Sequence, residues 1–254
     1  MVNLAGGKFA VSVFTCLVVL GLGIAHFLSS VSLPVRVGER QVYGIYCENT
    51  KIGTLIFQVI DTAVVENVNS FVSTYSLFSP LSNEERSGTL KFDFNGNLRR
   101  AVIAEVGGGV LKWRTEVGYS FSDELMRVIL EDNRDPENYI ERDTYINLTA
   151  EIMVPEHVWY FLRFEPLGSD YRHEFYLNLL PDALLSVKVA FHVAGEEEVN
   201  TPAGSWSCWV IEGENTQLAS WPVDKIWVDK ESALVVKAVE NQSGYQVVYL
   251  LEEN

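Results

Sequence analysis

Period two dominates the chain after Pro34, and that period belongs to β-strands rather than helices. In ALLSVKVAFHV, Leu185, Val187, Val189, Phe191 and Val193 share one parity, while Ser186, Lys188 and His192 share the other. GTLIFQVID repeats the pattern with Leu55, Phe57 and Val59. One face of each strand is therefore buried and the other wet, as in an antiparallel sheet. Turn signals separate the strands. Asn95-Gly96 divides Leu90, Phe92 and Phe94 from Leu98, Val102 and Ala104, which the alternation places on the inner face. Gly107-Gly108-Gly109 precedes Leu111, Trp113 and Val117, and KIWVD, ALVVKAV and YQVVYLLEE follow near the end. The segment EDNRDPEN, Glu131 to Asn138, is the expected long loop and marks a break between two halves of one sheet. Strands at ~8–12-residue spacing predict a mainly β fold: a single large bent antiparallel sheet, or half-barrel. Curling also limits exposed edges.

One segment, VPEHVWYFLRFEPLG, has helical spacing. Pro155 suits a first helical position, and Glu156 suits the positive end of the helix dipole. Val158, Phe161 and Leu162 fall at i, i+3 and i+4, and Pro166 and Gly168 stop the run. A helix from Pro155 to about Phe164 is too short to stand alone, so it is expected to pack on the sheet.

The start of the chain is different in kind. Lys8 precedes an apolar run from Phe9 to Leu28, and about twenty residues span a bilayer core. The run reads as an uncleaved N-terminal transmembrane anchor. The competing reading is a signal peptide with Ser30 and Ser32 placed for cleavage before Leu33. A buried core helix is the bland alternative. The domain division is then residues 1–33, membrane anchor or signal, and 34–254, an extracytoplasmic β-rich body. The cell membrane is the expected location, reached by one N-terminal span, or the exterior if the leader is removed. Cys16 lies inside the run, and Thr15 before it fits a lipoprotein cleavage site poorly.

The net charge is −15, and no acidic residue precedes Pro34. Such a body repels phosphate backbones, and no basic stripe offsets the repulsion, so nucleic acid is not an expected partner. Catalytic patterns also fail one by one. Ser205 and Ser207 lie beside Gly204, but a strand follows where a nucleophile elbow needs a helix. His157, His173 and His192 are scattered and read as solvated or structural. No close-spaced Cys/His pairs suggest zinc. Glu131, Asn133 and Asp135 resemble the start of a calcium loop, but Pro136 and Arg142 stand where Gly and Glu are needed. The triple glycine reads as a hairpin turn rather than a phosphate cradle, because no helix follows it. No catalytic residue, metal or cofactor is expected.

The aromatic residues are the best candidates for contact with a ligand. Trp206, Trp209, Trp227, Trp159 and Phe161 on a curved sheet could line a site for a lipid or other apolar ligand, though plain core packing explains them equally. Cys47 and Cys208 form a candidate disulfide, with two buried free thiols as the alternative. Asn147-Leu148-Thr149 and Asn241-Gln242-Ser243 are candidate glycosylation sequons.

The C-terminal third also resembles a broad family of exported bacterial and archaeal proteins of unknown function. The matching residues are Thr201, Pro202, Gly204, Cys208, Val210, Trp227, Asp229, Val236, Lys237, Gly244 and Leu250. Upstream, NTKIGTLIFQVID is similar to that family's first hairpin, with Gly53 at the turn. The resemblance implies a half-barrel of the lipoprotein-localisation-factor type, wrapped over a helix, in which some members hold acyl chains. It supplies no catalytic residues. The expected function is non-enzymatic: an apolar or lipid-like ligand, or an envelope partner, held in the concave face. The alternative is a structural or interaction domain with a filled core and no small-molecule ligand.

Overall fold

The computed structural model describes residues 33–79, 83–148, 151–178, 186–215, 224–242 and 245–254. The apolar run Phe9–Leu28 therefore lies outside the described residues, as do Leu185, Gly244, Thr149 and Ser243. No helix among the described residues is long and apolar enough to cross a membrane. Pro34–Asn254 forms one compact unit.

That unit is built on one sheet. Its strands are β1 (Arg40–Cys47), β2 (Thr50–Val65), β3 (Val68–Ser79), β4 (Glu84–Asp93), β5 (Leu98–Gly107), β6 (Val110–Ser120), β7 (Leu125–Asp132), β8 (Ile140–Asn147), β9 (Ile152–Met153), β10 (Arg172–Asn178), β11 (Ser186–Thr201), β12 (Gly204–Asn215), β13 (Lys225–Asp229), β14 (Val235–Gln242) and β15 (Tyr245–Glu253). The spatial order is β8-β7-β6-β5-β4-β3-β2-β1-β15-β14-β13-β12-β11-β10-β9. Each neighbouring pair is antiparallel except β9 and β10, which run parallel. A large bent, mainly antiparallel sheet is what the alternation predicted.

The two edge strands, β8 and β9, are consecutive in sequence. Residues 148–151 join them, and at ~3.4 Å per residue that link reaches at most about 17 Å. The sheet must therefore curl until its two edges come within that distance. Asn178 of β10 donates to Met126 Sδ of β7 at 3.2 Å across this seam. Bulges supply curvature in both halves, at Val59/Asp61, Lys91/Phe92, Val193/Gly195 and Trp227/Val228 among others.

The hairpins show why the sequence turns where it does. Glu48-Asn49, Glu66-Asn67 and Gly108-Gly109 each have two successive residues at positive φ, as the tightest hairpin turns require. Gly53 is not the turn of the first hairpin. It lies inside β2, where a Cβ would come within 2.6 Å of the Phe78 carbonyl, so its role is close backbone approach. The Asn95-Gly96 turn forms as expected, with Gly96 at φ 90°. Asp93 organises it, accepting from the backbone N–H groups of Asn95 and Asn97 at 2.9 Å each. The bulge beside Phe92 then shifts the parity of β5. Ala101 and Ile103 face the core, in place of the expected Val102 and Ala104. EDNRDPEN is a short connection with a 3₁₀ turn at Pro136–Asn138, and β7 and β8 pair directly across it. The break in the sheet falls one strand later, between β8 and β9.

The helical segment is also shorter than its spacing suggested. A 3₁₀ turn at Pro155–His157 runs into α1 (Val158–Phe161), and further turns reach Phe164. Aromatic side chains leave this segment in all directions, the pattern of a helix buried on every side.

Candidate functional site

Successive residues of α1 project about 100° apart, so Trp159, Tyr160 and Phe161 reach three different parts of the sheet. Trp159 sits 4.7 Å from the Tyr43 ring, 5.5 Å from Phe57 and 5.8 Å from Tyr249. These rings belong to β1, β2 and β15, the middle of the sheet. Tyr160 stacks on Phe92 of β4 at 4.6 Å and meets Phe57 edge-on at 5.6 Å. Its hydroxyl lies 2.5 Å from Ser73 Oγ of β3. Phe161 points toward β10, 5.2 Å from His173 and 5.7 Å from Phe175. This part of the concave face is thus occupied by the protein's own helix.

Polar groups hold the segment at each end. Arg163, after α1, donates to both carboxylate oxygens of Glu39 and to the Pro34 carbonyl. Its side chain is only 4% exposed. Neighbouring Tyr43 donates to the Val235 carbonyl at 2.8 Å. At the start of the segment, Glu156 is buried 3.7 Å from Arg86 Nη1. Burial raises its carboxyl above the ordinary range, and Arg86 opposes that shift. Arg86 also bonds Glu105 at 3.2 Å and lies 5.3 Å over the Trp113 ring.

The three body histidines have separate roles. His157 is sealed in the core beside Phe92, and desolvation pushes it down to about 3. His173 is clamped instead. Its Nε2 lies 2.8 Å from Glu151 and its Nδ1 3.2 Å from Glu165. Hydrogen bonds to these two carboxylates push it up to about 10. His192 lies 3.6 Å from Glu214 on the wet side of β11. None of the three imidazoles adjoins a serine or cysteine nucleophile among these contacts. No cluster of three metal-binding side chains occurs among the described residues.

The five aromatic candidates do not converge. Trp159 and Phe161 are interior but lie on different sides of α1. In β12, ladder pairing puts Trp209 on the parity of Ile211, which aligns through Ile226 and Ala238 with Tyr249 on the concave face. Lys230 covers the Trp209 ring at 4.4 Å. Trp206 has the opposite parity and shares it with Cys208, Val210 and, across the ladder, Trp227. The Trp227 indole N–H donates to Glu197 at 2.8 Å, and Lys237 lies 4.2 Å over its ring. Cys47 and Cys208 are free thiols, the alternative to the candidate disulfide. Strands β15, β14 and β13 separate β1 from β12, which puts the two thiols out of bonding reach. Asn147 and Asn241, the sequon asparagines, are exposed.

Among the described residues, the surface includes two grooves. One, of about 550 Å³, runs over the outer side of β5 to β8 beneath Val64 and Val65. Its charges largely cancel: Arg100 pairs with Glu116 and Arg127 with Asp143, each at 2.6 Å. The other, of about 440 Å³, lies between the start of β12 and the β13–β14 turn. Sequence reasoning missed Arg86 and Arg163, and it read Glu156 only as a helix-start residue and His173 as solvated or structural. The only available signal was charge embedded in an aromatic run, as in Glu156 and Arg163.

No family model matches the chain, and no curated protein matches it. A solved β-barrel-like protein of a domain of unknown function, DUF1849, from Brucella abortus has a similar fold, with a TM-score of 0.57 at 11% identity. The match covers 85% of this chain and 97% of that one. A putative exported protein with a YmcC-like fold from Bacteroides fragilis aligns over 87% of this chain and 97% of its own, at 13% identity and a TM-score of 0.38. A putative lipoprotein from Parabacteroides distasonis aligns over 86% and 95%, at 12% identity and a TM-score of 0.34. The first likeness supports a shared barrel-like fold; the other two are too distant to bear on it.

Proposed function

We propose that the chain is an exported, non-enzymatic interaction domain of the cell envelope, whose interior is filled by its own helix and whose contacts are made on its outer surface. One observation carries this reading: Trp159, Tyr160 and Phe161 occupy the concave face within 4.6–5.8 Å of rings from five strands. Export rests on the apolar run Phe9–Leu28 ahead of a body with net negative charge. The anchor and the membrane location belong to the same proposal. The absence of catalysis is supported by the imidazoles, one sealed in the core and one held between two carboxylates.

A lipoprotein-carrier likeness would instead place an acyl chain in the concave face. Such a ligand needs the space that α1 holds, against Tyr43, Phe57, Phe92 and Tyr249. Native mass spectrometry of the compact Pro34–Asn254 unit separates the two readings. The expected spectrum shows the mass of the chain alone, before and after incubation with fatty acids and phospholipids. A co-purifying or incorporated lipid overturns the filled-interior reading in favour of the carrier.

A further inference from the structure

The 440 Å³ groove beside β12 sets one half-buried indole beside polar groups. Its walls are Ser205, Trp206 and Ser207 of β12 on one side and Asp229 to Ser232 on the other. β12 pairs with β13 only from Cys208 onward. Its first residues therefore have no strand on that side, and the β13–β14 turn stands across a gap from them. Backbone bonds fix the gap. Lys230 N–H donates to the Ser207 carbonyl at 2.9 Å, and Asp229 Oδ2 accepts from both the backbone and hydroxyl of Ser232, at 2.8 and 2.6 Å. Alternation along β12 points the backbone polar groups of Ser205 the same way as those of Ser207, toward the groove.

The side chains at this gap combine one aromatic ring with several small polar groups. The Trp206 indole is held in place by its N–H, which donates to Thr201 Oγ1 at 3.0 Å, and by the Gly204 backbone beside it. It is half-buried, with core on one side and the groove on the other. Ser207 and Glu231 make no side-chain hydrogen bond or ion pair among the described residues, and both are exposed. The Lys230 ammonium is engaged elsewhere, by Glu196 and the Trp209 ring. The charge left facing the groove is thus that of Asp229 and Glu231.

We propose that this groove binds a sugar ring, neutral or amino-substituted, of an envelope or surface polysaccharide. The indole packs the apolar CH face of a pyranose, while Glu231, Ser232 and the free backbone edge of β12 exchange hydrogen bonds with its hydroxyls. Glu231 and Asp229, within a body of net negative charge, exclude acidic sugars and phosphates. The volume lies within the ~300–1,000 Å³ of small-ligand sites. The inference assigns a ligand class to the outer surface of the interaction domain proposed above. It is independent of whether the interior holds lipid.

The test uses the full chain in a non-glycosidic detergent, titrated by calorimetry with neutral, amino and acidic oligosaccharides and scanned on an array of the same sugars. Binding is expected for neutral or amino sugars and not for acidic ones. Trp206→Ala should weaken it at least tenfold. Glu231→Ala, an exposed change that removes a hydrogen-bonding group without touching the core, should do the same with an unchanged melting curve. Trp209→Ala, whose ring is covered by Lys230, should leave sugar affinity intact. Failure of every sugar to bind overturns the proposal, as does binding that survives both Trp206→Ala and Glu231→Ala. Neither outcome alters the lipid measurement, so the two readings fail separately.

Discussion

The pH response of this domain is governed by two histidines with opposite environments. His157 falls from 6.5 to about 3 because its charged form has no water in the core. As pH drops below 6.5 the unfolded chain takes up this proton before the folded one does, so stability is lost between 6.5 and 3. His173 rises from 6.5 to about 10 because Glu151 and Glu165 hold its imidazolium. That contribution is complete below 6.5 and is lost as pH climbs toward 10. Thermal midpoints measured from pH 4 to 10 should peak near pH 6–7. His157→Phe should flatten the acid limb and His173→Gln the alkaline limb. The thiols give a second check. Burial pushes Cys208 up to about 12, while Cys47 is half-exposed. Alkylation of the native protein, mapped by peptide mass, should modify Cys47 and spare Cys208 until denaturant is added, with no dependence on reductant. The sequence reading took both histidines as solvated or structural. It could not assign partners, because Glu151, Glu165 and His173 meet only after three separate segments converge.

Among the elements, α1 and the strands beneath it hold most of what the sequence made legible. The strands, the Asn95-Gly96 turn and the position of the helical segment follow from local chemistry: alternation, a turn dipeptide and Pro155. The bulges do not. One extra residue beside Phe92 reverses the parity of β5, so Ala101 and Ile103 replace Val102 and Ala104 in the core. Parity put Trp206 and Trp209 on opposite faces of one strand, but it could not say which of the two faces the concave side. The packing of α1 has a measurable cost attached. Phe57 is 1% exposed and touches the rings of Tyr43, Tyr75, Trp159 and Tyr160. Phe57→Ala should destabilise the domain by about 3–5 kcal/mol in denaturant unfolding, because the surrounding rings cannot collapse into the cavity. A loss below about 1 kcal/mol would show that the helix is loosely seated and that the interior has room to spare.

At the scale of the molecule, strand order is the dominant fact. The first strand and the last are neighbours at the centre of the sheet, and Arg40 reaches Glu253 at 3.1 Å. Every other neighbouring pair is consecutive along the chain. One contact of very high sequence separation therefore joins two locally built halves, and closing it carries the largest entropic cost of folding. A circular permutant would relocate that cost. If Asn254 is tied to Pro34 by a short flexible linker and the chain is opened between 148 and 151, the strands run in spatial order from β9 through β15 and β1 to β8. From β10 onward the sheet becomes one uninterrupted meander. Stopped-flow refolding of this permutant should be faster than that of the parent, with the β1–β15 pairing converted from the most distant contact in the chain into an ordinary hairpin.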